Sequence, residues 1–302
     1  MSVATTAKSN TIAGASAGWV DGMPSLHGIE WSPEPLVGSI VLDRAAHHNA
    51  LGRATASALA QAIADVLAAQ PRVVVVKARG PIFCAGGDIQ EFDSVGDQLP
   101  KLVNEILDQL LPAYWQLAQA TCPVVTVVGG PVGGAGIGLA LCGDFVLASD
   151  TMKLRTGYSA IGLSPDVGAS YFLARRIGVV RAQQWLMLSQ AVDAARCLAA
   201  GAVDQVFPGQ ELEAAAQGLV GQLCHAAPAS LAAIKKLSTQ GPGLSLQEYL
   251  LLEQQLLKAC ASTPDAREGI AAFVQKRPAV FKGQRLPDLE APITFTDDIN
   301  AK

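Results

Sequence analysis

The chain is predicted to be an α/β protein whose last third is helical. Three observations carry this. Two β-branched apolar runs, Val73-Val74-Val75-Val76 and Val124-Val125-Thr126-Val127-Val128, read as strands buried on both faces. Each leads into a turn of small residues, Phe83-Cys84-Ala85-Gly86-Gly87-Asp88 and Gly133-Gly134-Ala135-Gly136-Ile137-Gly138. From Pro165 onward, strand–turn–helix alternation gives way to helical segments.

In order, residues 38–43 read as a strand, followed by a polar turn over 44–49. Residues 54–69 have helical spacing and stop before Pro71. Residues 72–78 form the next strand. Residues 99–120 form a long amphipathic helix with Leu102, Ile106, Leu110 and Leu117 on one side. Residues 123–128 are a second buried strand, and 134–142 a helix apolar all round, hence central. A short strand covers 145–148. Helices are expected over 167–177, 181–188, 194–200, 212–225, 230–239, 246–260 and 264–276. The organisation predicted is a disordered extension (1–25), a core (26–225), and a helical C-terminal region with an extended tail (226–302). The helices from 230 to 276 have broad apolar faces that call for a partner surface.

Composition narrows the function. The chain has 302 residues, half of them apolar, yet no run reaches the ~20 that a membrane span needs. A net charge of −4 implies no nucleic-acid or membrane-surface partner. Cysteines 84, 122, 142, 197, 224 and 260 form no CxxC pair, so no zinc or redox motif is signalled and a reducing, cytoplasmic compartment fits. The four histidines lack metal spacing, and no metal is expected.

The glycine turns carry the chemistry. Small residues let a ligand approach the backbone and leave N–H groups pointing at it. Two such turns brought together can place two donors on one oxygen, the arrangement of an oxyanion hole. That points to a carbonyl, a thioester in particular. A dinucleotide fingerprint fails because its third glycine falls on Leu139. A G-x-x-x-x-G-K-[ST] loop and a G-x-S-x-G elbow are both missing. Tight helix–strand packing explains the second turn equally well when that turn is taken alone.

Taken together, F-C-A-G-G-D-I-x-E at 83–91, Pro123 with V-V-x-V-V, G-G-A-G-I-G-L-A, Asp144, I-G-L-S-P-D-V-G at 161–168 and E-G-I-x-A-F-x-x-K-R at 268–277 resemble the crotonase (enoyl-CoA hydratase/isomerase) superfamily. The resemblance spans about 38–283. It implies a crotonase spiral of repeated ββα turns with a helical C-terminal region. It also implies an acyl-CoA substrate, coenzyme A entering only as part of that substrate, and a homotrimer or dimer of trimers.

Carried over residue by residue, the resemblance places the two oxyanion donors on the N–H groups of Gly87 and Ala135. His48, Ala50 and Ala85 would line the coenzyme A channel, with Asp88 and Ile89 beside the first turn. Phe273 and Lys276 match positions that meet the nucleotide end, often of a neighbouring subunit. The two glutamates of a typical hydratase fall on Gly138 and Tyr158, so neither carboxylate is present. Asp166 remains, at a position where some isomerases and 3-hydroxyisobutyryl-CoA hydrolases carry their acid. Isomerases with an apolar or aromatic residue at the Tyr158 position match best. The expected activity is enoyl-CoA isomerase-type proton transfer through an enolate, with Asp166 as the acid–base group. The alternatives are hydration, thioester hydrolysis, or a non-catalytic acyl-CoA-binding subunit. Read without the family, Asp166 is a helix N-cap. Tyr158 is expected to wall the acyl pocket. Asp88 and Asp144 are expected to brace their turns, and Cys84 to be packed. The acyl pocket is expected to be walled from within 89–117.

Overall fold

The structure, a computed structural model, describes residues 23–33 and 36–286. An antiparallel meander of β1 (Ser25–Leu26), β2 (Ile29–Pro33) and β3 (Val37–Leu42) leads into α1 (Arg53–Ala68), β4 (Val73–Ala78), α2 (Ile89–Ser94), α3 (Leu99–Ala118) and β5 (Val124–Val128). Next come β6 (Val132–Gly133), α4 (Ala135–Leu141), β7 (Phe145–Ser149), β8 (Lys153–Arg155), α5 (Ala169–Ile177) and α6 (Val179–Leu188). The chain continues through β9 (Val192–Asp193), α7 (Ala194–Ala200), β10 (Gln205–Phe207) and α8 (Gly209–His225). It closes with α9 (Pro228–Gln240), α10 (Leu246–Ala261) and α11 (Pro264–Val274).

The strands form a seven-stranded sheet in the order β1-β2-β3-β4-β5-β7-β10, parallel from β3 onward. Both faces are covered, which is why the valine runs are continuous. Val74 and Val76 join the core that holds α1, α3 and α4, while Val73 and Val75 pack with Leu212, Ala216 and Val220 of α8.

A second, smaller sheet, β6-β8-β9, carries the site. Its ladder continues through single bridges, Cys84 with Val132 and Leu51 with Gly87. Strands β3, β4, β5 and β7 are each followed by a very short strand or single bridge on this ladder and then a helix, which is the predicted ββα repeat. The second strands escape sequence reading because they are one to three residues long and rich in glycine.

Most predicted boundaries lie within a few residues of those observed. One departure matters: α5 starts at Ala169, not at 167. Val167 has φ +37° and Gly168 φ +78°, both outside the helical region. Sequence reading also missed β1, β2, α2, β6 and β8 to β10. Ser25 belongs to β1, so the expected extension stops short of it, and residues 1–22 lie outside the described residues. The tail from Pro287 onward lies outside them too.

The C-terminal segment is pinned to the body. Asp265 is buried and accepts from the backbone amides of Lys282, Gly283 and Gln284 at 2.8, 3.1 and 3.1 Å. Arg72 on the sheet donates to the carbonyls of Cys224 and Phe281. Glu268 and Arg277 form a two-pronged pair at 2.6 and 2.8 Å, which accounts for both ends of the 268–277 motif. Among the described residues no helix is long and apolar enough to cross a membrane.

Candidate active site

The two glycine turns meet backbone to backbone. A Cβ built on Gly86 would stand 2.9 Å from the Gly133 carbonyl and 3.2 Å from the Ala135 nitrogen. One built on Gly134 would stand 3.4 Å from the Gly86 Cα and 4.0 Å from the Gly87 nitrogen. Both glycines have positive φ, +98° and +47°. A side chain at Gly86 would push the turns apart, and at Gly134 the positive φ strains any L side chain. The packing reading of the second turn holds as well, at Gly136, whose Cβ would strike Cys84.

This contact brings Gly87 and Ala135 together on the lining of one cavity. Ala135 is the first residue of α4, where an amide has no partner within the helix. Neither amide donates to a protein acceptor among the described residues. The small-sheet ladder holds the frame: Gly133 N–H donates to Cys84 and Gly134 N–H to Arg155, while Leu51 bonds on either side of Gly87. Asn49 bolts the preceding turn in place. It accepts from the Arg44 amide and donates to the carbonyls of Arg79 and Ile82. Glu91 points away from the site and caps the first turn of α1 at Arg53 N–H, 3.0 Å.

The cavity measures about 510 Å³. Ala85, Gly87, Ile89, Ala135, Tyr158 and Asp166 all line it, with an apolar wall from Phe92, Val103, Ile106, Leu107 and Leu111. That wall lies within the expected 89–117 segment. Asp166 is the one carboxylate among the lining residues, and Arg155 the one cation.

Asp166 is not a helix cap. Its backbone carbonyl accepts from Ala169 N–H, while Gly168 is the N-cap and no side chain caps α5. Its carboxylate instead receives the Tyr158 hydroxyl, 2.7 Å from Oδ1. Tyr158 is therefore more than a wall. Burial raises the Asp166 pKa, and the Tyr158 hydrogen bond, which favours the charged form, partly opposes the rise. Burial together with the neighbouring carboxylate holds the Tyr158 phenol well above its usual range, so it stays protonated as a donor.

Gly138, where the resemblance sets the first hydratase glutamate, has no room for a side chain. A Cβ on Gly138 would collide with the Val167 carbonyl and stand 3.3 Å from Tyr114 Cε1. Cys84 is packed as expected. Burial, with Asp166 nearby, pushes its thiol up to about 12, far from a thiolate nucleophile. Asp144 braces its turn, accepting from Val124 N–H and pairing with Lys235 at 2.7 Å.

Other predicted site residues lie off the cavity. Asp88 is engaged elsewhere: it caps α2 at Glu91 N–H and pairs with Arg44 at 3.3 Å. His48 is exposed and its carbonyl accepts from Ala85 N–H, so the two expected channel segments are neighbours. Ala50 is buried beneath them. Phe273 is 85% exposed, and neither it nor Lys276 lines the cavity within this chain.

Two backbone amides without protein partners among the described residues and one desolvated carboxylate share this largely apolar cavity. The enoyl-CoA hydratase/isomerase family model matches residues 34–284, and the chain belongs to that family, within the crotonase superfamily. It is 32% identical over 251 residues to the 2,3-dehydroadipyl-CoA hydratase of Escherichia coli, covering 81% of this chain and 94% of that protein. It is likewise 32% identical over 217 residues to the trans-2-decenoyl-[acyl-carrier-protein] isomerase of Streptococcus mutans, covering 70% and 81%. A crystal structure of an enoyl-CoA hydratase from Polaromonas sp. JS666 superposes with TM-score 0.78 at 31% identity, over 84% of this chain and 99% of that one.

Proposed function

We propose that this protein moves a double bond within an enoyl-CoA thioester. One observation carries the reading: Asp166 is the one carboxylate on a cavity where the Gly87 and Ala135 amides stand without protein partners. The thioester oxygen sits between those amides. Asp166 takes a proton from C2 of a 3-enoyl thioester, the electrons move onto the oxygen as a dienolate, and the amides stabilise it. Asp166 then returns the proton at C4, leaving the 2-enoyl product. Burial raises its pKa and strengthens it as a base. No cofactor other than the coenzyme A of the substrate takes part.

His48, Ala50 and Ala85 line the coenzyme A channel in this reading. The exposed Phe273 and Lys276 serve a neighbouring subunit of a trimer or a dimer of trimers. The six cysteines stand as free thiols, in keeping with the cytoplasm. The test is to incubate the protein with 3-enoyl-, 2-enoyl- and 3-hydroxyacyl-CoA and follow double-bond migration, hydration and free thiol. Migration supports the proposal. Hydration or thiol release without migration assigns Asp166 to handling water, and no turnover at all points to a binding subunit.

A further inference from the structure

Behind Asp166 lies a second phenol that the mechanism above does not use. Tyr114 sits on α3, 3% exposed, and its hydroxyl has no hydrogen-bond partner among the described residues. Among the described residues it is the one buried side-chain polar atom in that condition. Buried hydroxyls are ordinarily satisfied, so an orphan calls for a reason.

Its position supplies one. The Tyr114 ring edge stands 3.3 Å from the point where a Gly138 side chain would begin, the place of the first hydratase glutamate. A phenol from α3 thus occupies the space beside a missing carboxylate. Burial holds its pKa up, and charge on Cys84, Cys142, Asp166 or Tyr158 would raise it further. The same Gly138 position lies against the carbonyl of Val167, the residue after Asp166. Asp166 accepts the Tyr158 hydroxyl, and a carboxylate offers about four acceptor sites. An unpartnered donor and the segment that carries an unsaturated acceptor therefore flank one buried position.

We infer that Tyr114 is a positioning residue for Asp166, its hydroxyl donating toward the carboxylate through one bound water. The inference rests on Asp166 being the acid–base group. Two phenols would then favour the charged form, Tyr158 from the cavity side and Tyr114 from the core. The charged and titratable groups about the carboxylate are Arg155 and Tyr158 on the cavity, with Tyr114, Cys84 and Cys142 buried nearby. Burial keeps both phenols and both thiols protonated through the working range, so Asp166 titrates as a single group.

Tyr114→Phe removes the hydroxyl and keeps the ring. The substrate-free protein, labelled with [γ-13C]aspartate and assigned against Asp166→Asn, gives the Asp166 titration midpoint by NMR. The expected result is a midpoint moved to higher pH in Tyr114→Phe. In addition, the acid limb of the rate profile should move with it, and turnover at the acid end should fall about tenfold at unchanged KM. A midpoint that stays put overturns the inference, and a raised melting temperature would then mark a bare orphan hydroxyl. A second reading needs no variant at 114: in the wild type, the [ζ-13C] resonance of Tyr114 should move as Asp166 titrates, and a static one counts against it. Because these titrations need no turnover, a moving midpoint in a protein that isomerises nothing would uphold Tyr114 and reject the proposed reaction.

Discussion

Tyr158 donates its hydroxyl to Asp166 Oδ1 at 2.7 Å, and Asp166 is the one carboxylate lining the cavity. A neutral donor, held protonated by burial and by that carboxylate, thus stands against the single acidic group of the cavity.

The Asp166→Asn variant should fold and fail to turn over. Its carboxylate caps no helix, and Asn can still accept from Tyr158. Turnover of a 3-enoyl-CoA should fall by roughly 10²–10⁴-fold, the usual worth of a positioned acid–base group. A rate within threefold of wild type would remove Asp166 from the mechanism.

Tyr158→Phe should move the acid limb of the pH–rate profile upward. The hydrogen bond favours ionised Asp166, so losing it raises the pKa further and keeps the base protonated to higher pH. The loss is largest at acid pH and shrinks as pH rises. An unmoved limb would show that Tyr158 only shapes the cavity.

The same shift has a sign in stability. Burial places the folded-state pKa of Asp166 above its unfolded value of 3.8, so the folded chain holds that proton more tightly. The wild type gains from this below the unfolded pKa and loses the gain as pH rises through the folded one. The melting temperature of Asp166→Asn minus that of wild type should therefore grow across that window and then level off. A difference that shrinks with rising pH would contradict the desolvation of Asp166.

Ala135→Pro tests the oxyanion donor. Proline is well accepted at the first residue of a helix, where Ala135 stands, and it lacks the N–H. The kcat should fall about 10²–10³-fold, the loss found on removing one such donor. Circular dichroism should be unchanged. Retained activity would show that the Ala135 amide does not meet the oxygen.

Gly138→Ala should destabilise, because its Cβ meets the Val167 carbonyl, which is backbone and cannot yield alone. Overpacking of this kind costs about 1–3 kcal/mol. Calorimetry reads it directly, and an unchanged melting temperature would show that α4 and the 166–168 turn can separate freely. For the same reason, Gly138→Glu should not create a hydratase.

Much of this was legible in the sequence. Periodicity and β-branched runs located α1, α3, α4, β4 and β5, since each buries a face whose pattern is set by local geometry. The glycine turns announced close backbone approach. Whatever depended on who meets whom was not legible. Asp166 precedes a helix, as a cap does, yet Val167 and Gly168 take positive φ and turn the carboxylate toward Tyr158, eight residues earlier. Asp88 reads as part of a ligand turn, but Arg44 and the α2 amides claim its charge. The short ladder of β6, β8 and β9 has too few residues for any period, and only the large sheet beneath it sets its register. Tyr114 is one apolar-face residue among several on α3. That its hydroxyl lies unpaired beside the empty place at Gly138 follows from helix packing, a contact between residues 24 positions apart that no local pattern encodes.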